Sequence, residues 1–122
     1  MAPPPARTFE DLVVWQKGHA LVLRVYRVTA GFPKTEIYGL TAQMRQAASS
    51  IPANIAEGFK RASRPDKARL LNVAQGSAEE LRYYLRLAHD LGYLVSGEMA
   101  ADLDEVSRLL DAYRRKILSS QA

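Results

Sequence analysis

The chain has 122 residues, of which 48% are apolar and 25% charged, a composition typical of one soluble globular domain and unlike that of a disordered chain. Because it has no cysteine and no long apolar run, disulfides, thiolate metal sites and a membrane-spanning helix are excluded. Seventeen Lys and Arg against thirteen Asp and Glu give a net charge of +4, and twelve of the cations are arginine, the residue best suited to bidentate phosphate contact.

The first eight residues are predicted to form a disordered, proline-rich tail, because Pro3-Pro4-Pro5 favours extended backbone without internal hydrogen bonds. This segment has no apolar core of the kind that marks a secretory signal, so we expect a cytoplasmic protein without membrane association. Residues 9–120 are predicted to form a single domain.

The first two helices are predicted over residues 9–29 and 36–60. Thr8 can cap the first helix, and Gly31 followed by Pro33 should end it. Apolar residues recur along the second helix at the spacing of one helical face. Pro52 lies within this pattern and predicts a kink, since it removes one backbone hydrogen bond.

The last two helices are predicted over residues 64–91 and 97–118. Ser63 is a suitable cap for the third helix, and Gly92 should end it. In both helices the apolar residues are spaced alternately four and three apart. No segment alternates with the period of a strand. The sequence therefore predicts an all-α fold, an up-down-up-down antiparallel four-helix bundle with a kinked second helix.

The sequence offers no recognisable catalytic or metal chemistry. A di-iron bundle needs Glu-x-x-His pairs, but the residues three before His19 and His89 are Gln16 and Arg86. Zinc-protease, nucleophile-elbow, P-loop and dinucleotide-binding motifs are absent from the sequence. We therefore predict no catalytic residue, no metal ligand and no cofactor.

The stretch from Ser49 to Gly58 is unusual, because it places small and polar residues around Pro52 in a helix. Asn54 and Glu57 are three residues apart and share a helical face. They can repair backbone hydrogen bonding around a kink, or they can form a polar site or subunit contact. We favour the structural role, since a kink needs local hydrogen-bond repair.

A basic segment spans the predicted loop between the second and third helices. Such a run can be a solvated surface, but planar arginine groups also suit phosphate. Arg45 lies upstream on the second helix and completes the set of candidate nucleic-acid-binding residues. The six candidates are Arg45, Lys60, Arg61, Arg64, Lys67 and Arg69.

The first helix carries more apolar residues than one narrow stripe can hold, and tyrosines are plentiful for so small a bundle. A helix that is apolar over most of its circumference must be buried on a second side. We therefore expect a homo-oligomer, with Trp15 and Tyr26 as candidate interface residues, since aromatic side chains are enriched at interfaces.

Five segments of the sequence together match a known pattern: Phe9–Lys17, Phe32–Leu40, Gln43–Gly58, Leu71–Leu81 and Leu91–Leu94. In these segments the chain resembles a family of four-helix-bundle proteins encoded in intervening sequences of bacterial 23S ribosomal RNA genes. The resemblance covers residues 9–118, and its most specific part is the run from Ser50 to Gly58. The chain departs from the family at Gln46 after Arg45, where the family often has two consecutive basic residues. This departure weakens the case for a nucleic-acid surface on the second helix.

The resemblance implies a homopentamer, and a fold similar to that of the accessory variability protein of diversity-generating retroelements, which associates with a reverse transcriptase and nucleic acid. It implies no catalytic residues. We hypothesise a non-enzymatic oligomeric scaffold that contacts structured RNA or DNA, with a nucleic-acid-processing protein as a further partner. The alternative is a protein-interaction module without a nucleic-acid role.

Overall fold

Four antiparallel helices form the fold, as the sequence predicts. A computed structural model describes residues 4–95 and 97–119. The helices are α1 (Val13–Thr29), α2 (Leu40–Lys60), α3 (Arg64–Asp90) and α4 (Glu98–Ser119), and no strand occurs among the described residues. α2 and α3 pack most extensively against each other, and α1 and α4 complete the bundle. Residues 1–3 of the predicted tail and residue 120 of the predicted domain lie outside the described residues.

The first two helices begin later than predicted, because acidic side chains fold the preceding backbone into short turns. Asp11 accepts hydrogen bonds from the backbone N–H groups of Arg7 and Thr8, and a 3-10 helix spans Phe9–Asp11 before α1. Before α2, a second 3-10 helix covers Lys34–Glu36, and the Glu36 carboxylate accepts the backbone N–H of Leu40 at 3.3 Å.

The start and end of α3 follow the sequence signals closely. Ser63 Oγ accepts the backbone N–H of Asp66 at 3.2 Å. At the other end, Gly92 adopts a positive φ of 81°, which a side chain would disfavour, and the backbone N–H of Tyr93 donates to the carbonyl of Ala88. The turn into α4 therefore depends on a glycine at this position.

The core is a continuous apolar cluster in which all four helices take part. The predicted stripe of α2 is buried throughout, and the middle of each other helix supplies leucines or valines. The largest fully buried side chains are Leu21, Val25, Met44, Ile51, Ile55, Leu71, Leu81, Leu103, Val106 and Leu110.

Most of the surplus apolar residues of α1 are buried within the single chain, which revises the reason for expecting an oligomer. α1 packs against both α2 and α4, so a wide apolar surface is covered without a second subunit. Six valines and leucines of the first helix, at positions 13, 14, 21, 22, 25 and 28, lie off any single narrow stripe, and of these only Val13 is exposed. The buried or half-buried members are Val14, Leu21, Val22, Val25 and Val28.

α2 continues through Pro52, and a polar network lies beside it. The Asn54 amide Nδ2 donates to the carbonyl of Ser50 at 2.7 Å and to its Oγ at 2.9 Å, and Ser77 Oγ donates to Ser50 Oγ at 2.8 Å. The network therefore joins α2 to α3. Glu57 takes no part in it, because its half-exposed carboxylate accepts from Arg61 on the surface.

We predict that Asn54→Ala lowers the free energy of unfolding by about 1 kcal/mol. The substitution removes the half-buried amide that donates to Ser50, the residue through which the network joins α2 to α3. Glu57→Ala is the matched control on the same helix, and its exposed ion pair should contribute less than about 0.5 kcal/mol. Urea denaturation followed by circular dichroism measures both. Equal losses for the two variants would contradict the assigned roles.

Candidate nucleic-acid interface

The antiparallel order of the helices brings three separate parts of the sequence to one end of the bundle. These parts are the start of α1, the turn between α2 and α3, and the end of α4. We call this the basic end and define it as residues 7–14, 57–69 and 111–119. Nine of the seventeen cations lie there against five of the thirteen acidic residues, and the rest of the chain has eight of each. The whole net charge of +4 therefore lies at one end.

Arg45 is not part of this end. Its Nε donates to Thr29 Oγ1 at 2.9 Å, and its guanidinium lies 4.6 Å from the centre of the Tyr26 ring. Fifteen helical residues, about 22 Å at 1.5 Å per residue, separate it from Lys60. Arg45 therefore lies apart from the loop cations, and its contacts hold the end of α1 against α2.

Three of the five remaining candidates are engaged within the chain. Arg61 pairs with Glu57 at 2.5 Å and lies 3.5 Å from Asp66, and Arg69 pairs with Asp66 at 2.8 Å. The Lys67 ammonium donates to the carbonyls of Phe59 at 2.7 Å and Gly58 at 3.4 Å. Lys67 thereby caps the negative end of α2, a structural role.

Lys60 and Arg64 are the two candidates that have neither an ion pair nor a side-chain hydrogen bond among residues 4–95 and 97–119. Lys60 is exposed and Arg64 is half-buried. Because no carboxylate among the described residues neutralises them, their charges are available to an anion.

α4 contributes three further cations to the basic end, which were not predicted from the sequence. Arg114, Arg115 and Lys116 follow one another, and only the antiparallel helix order shows that they lie beside the α2–α3 turn. Arg115 pairs with Asp111 at 3.0 Å, whereas Lys116 has no acidic partner among the described residues. The Nε of Arg114 is buried and lacks a hydrogen-bond partner within the described structure.

A groove of about 320 Å³ crosses the basic end between α2, α3 and α4. Arg64 and Lys116 supply charge to it, and Phe59 and Tyr113 supply aromatic surface. Burial raises the pKa of the Tyr113 phenol above its ordinary value. The residues that line the groove are Phe59, Arg64, Lys67, Tyr113, Lys116 and Ile117.

The two candidate interface residues of α1 differ in exposure. Trp15 is half-buried, with its ring stacked on that of His19 at 4.9 Å and tilted against that of Phe9 at 5.1 Å. Tyr26 is 44% exposed and lies beneath the Arg45 guanidinium. Both therefore have contacts inside the chain, and Tyr26 leaves more surface open.

Two structural features are absent from the described part of the chain. Residues 4–95 and 97–119 contain no group of three or more His, Asp or Glu side chains placed to hold a metal ion. Over that part of the chain, no helix has the length and apolar character needed to cross a bilayer.

The fold and the charged end together define a small four-helix bundle with strongly segregated basic charge. Residues 10–112 match the family of 23S rRNA-intervening sequence proteins, and the chain belongs to that family. It is also similar to the 1.70 Å crystal structure of a protein of unknown function from the S23 ribosomal protein family of Bacteroides thetaiotaomicron. The two share 26% identity and a TM-score of 0.74, over 84% of this chain and 99% of the other. No curated protein matches the chain.

We predict that Lys67→Met lowers the free energy of unfolding by about 1–2 kcal/mol, because the substitution keeps the aliphatic stem but leaves two helix-end carbonyls without their charged donor. Lys60→Met is the matched control, and it should change stability by less than about 0.5 kcal/mol. Thermal and chemical denaturation measure the difference. A stability loss in Lys60→Met as large as in Lys67→Met would contradict the capping role.

Proposed function

We propose that this protein is a non-enzymatic, basic homo-oligomer of the cytoplasm that binds structured RNA through its basic end. The observation that carries the proposal is the segregation of charge. One end of the bundle has four more cations than acidic residues, and the rest of the chain has equal numbers of each. Phosphate attraction is the main source of sequence-independent nucleic-acid binding, and it requires such a concentrated positive surface.

Two groups of cations at this end have different roles in the proposal. Lys60, Arg64 and Lys116 have no acidic partner among the described residues, so phosphate can approach them without displacing a carboxylate. Arg61 and Arg69 are paired with Glu57 and Asp66, so they contribute less. RNA is the first ligand to test, because the family name refers to 23S rRNA genes.

Assembly would multiply a modest charge. A ring of identical subunits repeats each basic end, and several weak contacts then bind strongly together. The pentamer is the assembly implied by the family resemblance. Contacts that close a ring are heterologous, so each subunit needs two different surfaces.

The exposed face of α3 supports an interface. Gly76 lies in the middle of this helix, where glycine costs about 1 kcal/mol relative to alanine. A Cβ at Gly76 would meet nothing within 4 Å, so packing inside the chain does not require the glycine. Val73 and Tyr83, 44% and 60% exposed, lie on the same stripe of α3. Close approach of a second subunit would explain both the glycine inside the helix and the exposure of Val73 and Tyr83 in the single chain.

The RNA-binding test compares two double variants with equal change in charge. Lys60→Gln/Arg64→Gln removes two cations without acidic partners from the basic end, and Arg27→Gln/Lys34→Gln removes two exposed cations from the opposite half. The first should weaken binding of structured RNA about tenfold or more and reduce the salt dependence, since fewer counterions are released. The second should have little effect.

Fluorescence anisotropy at two salt concentrations measures this binding. No binding by wild type at low salt, or equal weakening by both variants, would contradict the proposal. Binding of acidic proteins without RNA would favour the protein-interaction alternative.

The assembly test uses the exposed glycine. Gly76→Leu should reduce or abolish the oligomer, because the side chain blocks close approach, while the monomer fold is retained. Gly97→Leu is the control, since a Cβ there also meets nothing within 4 Å. Analytical ultracentrifugation and circular dichroism give the two readouts. A wild-type monomer at micromolar concentration, or an intact oligomer in Gly76→Leu, would contradict this interface.

A further inference from the structure

We infer that the groove at the basic end holds an unpaired nucleotide of the bound RNA, with its base against Tyr113 and Phe59 and its phosphate at Arg64 and Lys116. The inference rests on the proposed function and adds the kind of RNA: loops, bulges or single-stranded ends instead of continuous duplex. It follows from three features of the groove.

The first feature is the combination of rings and cations. Phosphate contact alone needs only exposed cations, yet two half-buried aromatic rings line the same groove as the cations. Aromatic side chains beside a positive surface are the arrangement on which single-stranded nucleic acids stack their bases. No acidic side chain lines the groove, so nothing there repels a phosphate.

The second feature is size. The volume of about 320 Å³ lies at the lower limit of small-ligand pockets, which are roughly 300–1,000 Å³. A single nucleotide suits this space, whereas a duplex can meet only its rim. Bases in an A-form duplex lie in a deep, narrow major groove or are stacked inside, so only an unpaired base can enter.

The third feature is the fixed geometry of one wall. Lys67 ties the last carbonyls of α2 to α3, and its ammonium lies 5.7 Å from the centre of the Phe59 ring. These contacts hold Phe59 in place before a ligand arrives. A second groove of about 260 Å³ shares Tyr113 and Lys116 and is otherwise lined by Leu12 and by apolar residues of α1 and α4. A neighbouring base therefore has apolar surface on the other side of Tyr113.

The test compares an RNA hairpin with a blunt duplex that contains the same stem and is lengthened until it has the same number of phosphates. The loop contains 2-aminopurine, whose fluorescence falls when it stacks. Wild type should bind the hairpin about tenfold or more tighter than the duplex and quench the probe, since stacking on one aromatic residue contributes this much.

Tyr113→Leu removes the ring but keeps an apolar side chain. It should lose the hairpin preference and the quenching while keeping the duplex affinity. Phe59→Leu is a second variant with the same expectation, should Tyr113→Leu fold poorly. Tyr38→Leu is the control, because Tyr38 is 94% exposed and lies at the other end of the bundle.

Each result has a distinct meaning. Equal hairpin and duplex affinity in wild type, or an unchanged preference in both groove variants, would overturn the inference and leave the proposed function intact. Absence of binding to either RNA would overturn the proposed function and the inference together. Displacement of the hairpin by an acidic peptide as effectively as by unlabelled hairpin would show that the groove recognises charge only, and would also overturn the inference.

Discussion

The close packing of α2 against α3 is the constraint on which the rest of the structure depends. The two helices approach closely, because a Cβ added at Gly58 of α2 would lie 3.4 Å from Leu70 Cβ and from the Lys67 carbonyl oxygen of α3. Because only a short turn joins the two helices, they must be antiparallel. That arrangement places the end of α2, the start of α3 and the end of α4 together, and with them the excess positive charge. The polar network of Ser50, Asn54 and Ser77 holds the same contact from its outer edge.

The helices were predictable because their signals are local. Ser63 and Gly92 mark the two ends of α3, and the four-and-three spacing of apolar residues marks its buried face. The late starts of α1 and α2 were not predicted, because they depend on where side chains reach. Asp11 turns back to the backbone before it, and Glu36 accepts from Leu40 and from the Tyr93 hydroxyl, which lies 57 positions later. Such contacts do not appear in a periodic pattern.

The candidate site was only partly predictable for a related reason. A run of cations in sequence predicts a charged surface, but it does not show which cations have acidic partners. Lys67 and Arg45 stabilise helix ends through carbonyl and hydroxyl oxygens, whereas Lys60 and Arg64 lack such partners in the described structure. The contribution of Tyr113 and Lys116 depends on helix order, and it becomes visible only when the four helices are placed side by side.

The central claim is that RNA binds at the basic end of the bundle. Hydrogen–deuterium exchange of the intact protein, with and without a structured RNA at low salt, tests this claim most directly. The account predicts slower exchange confined to residues 57–69 and 111–119, with the region around residues 30–40 unchanged. Protection centred on residues 30–40 and 86–95, or the same protection by an uncharged polymer, would contradict it.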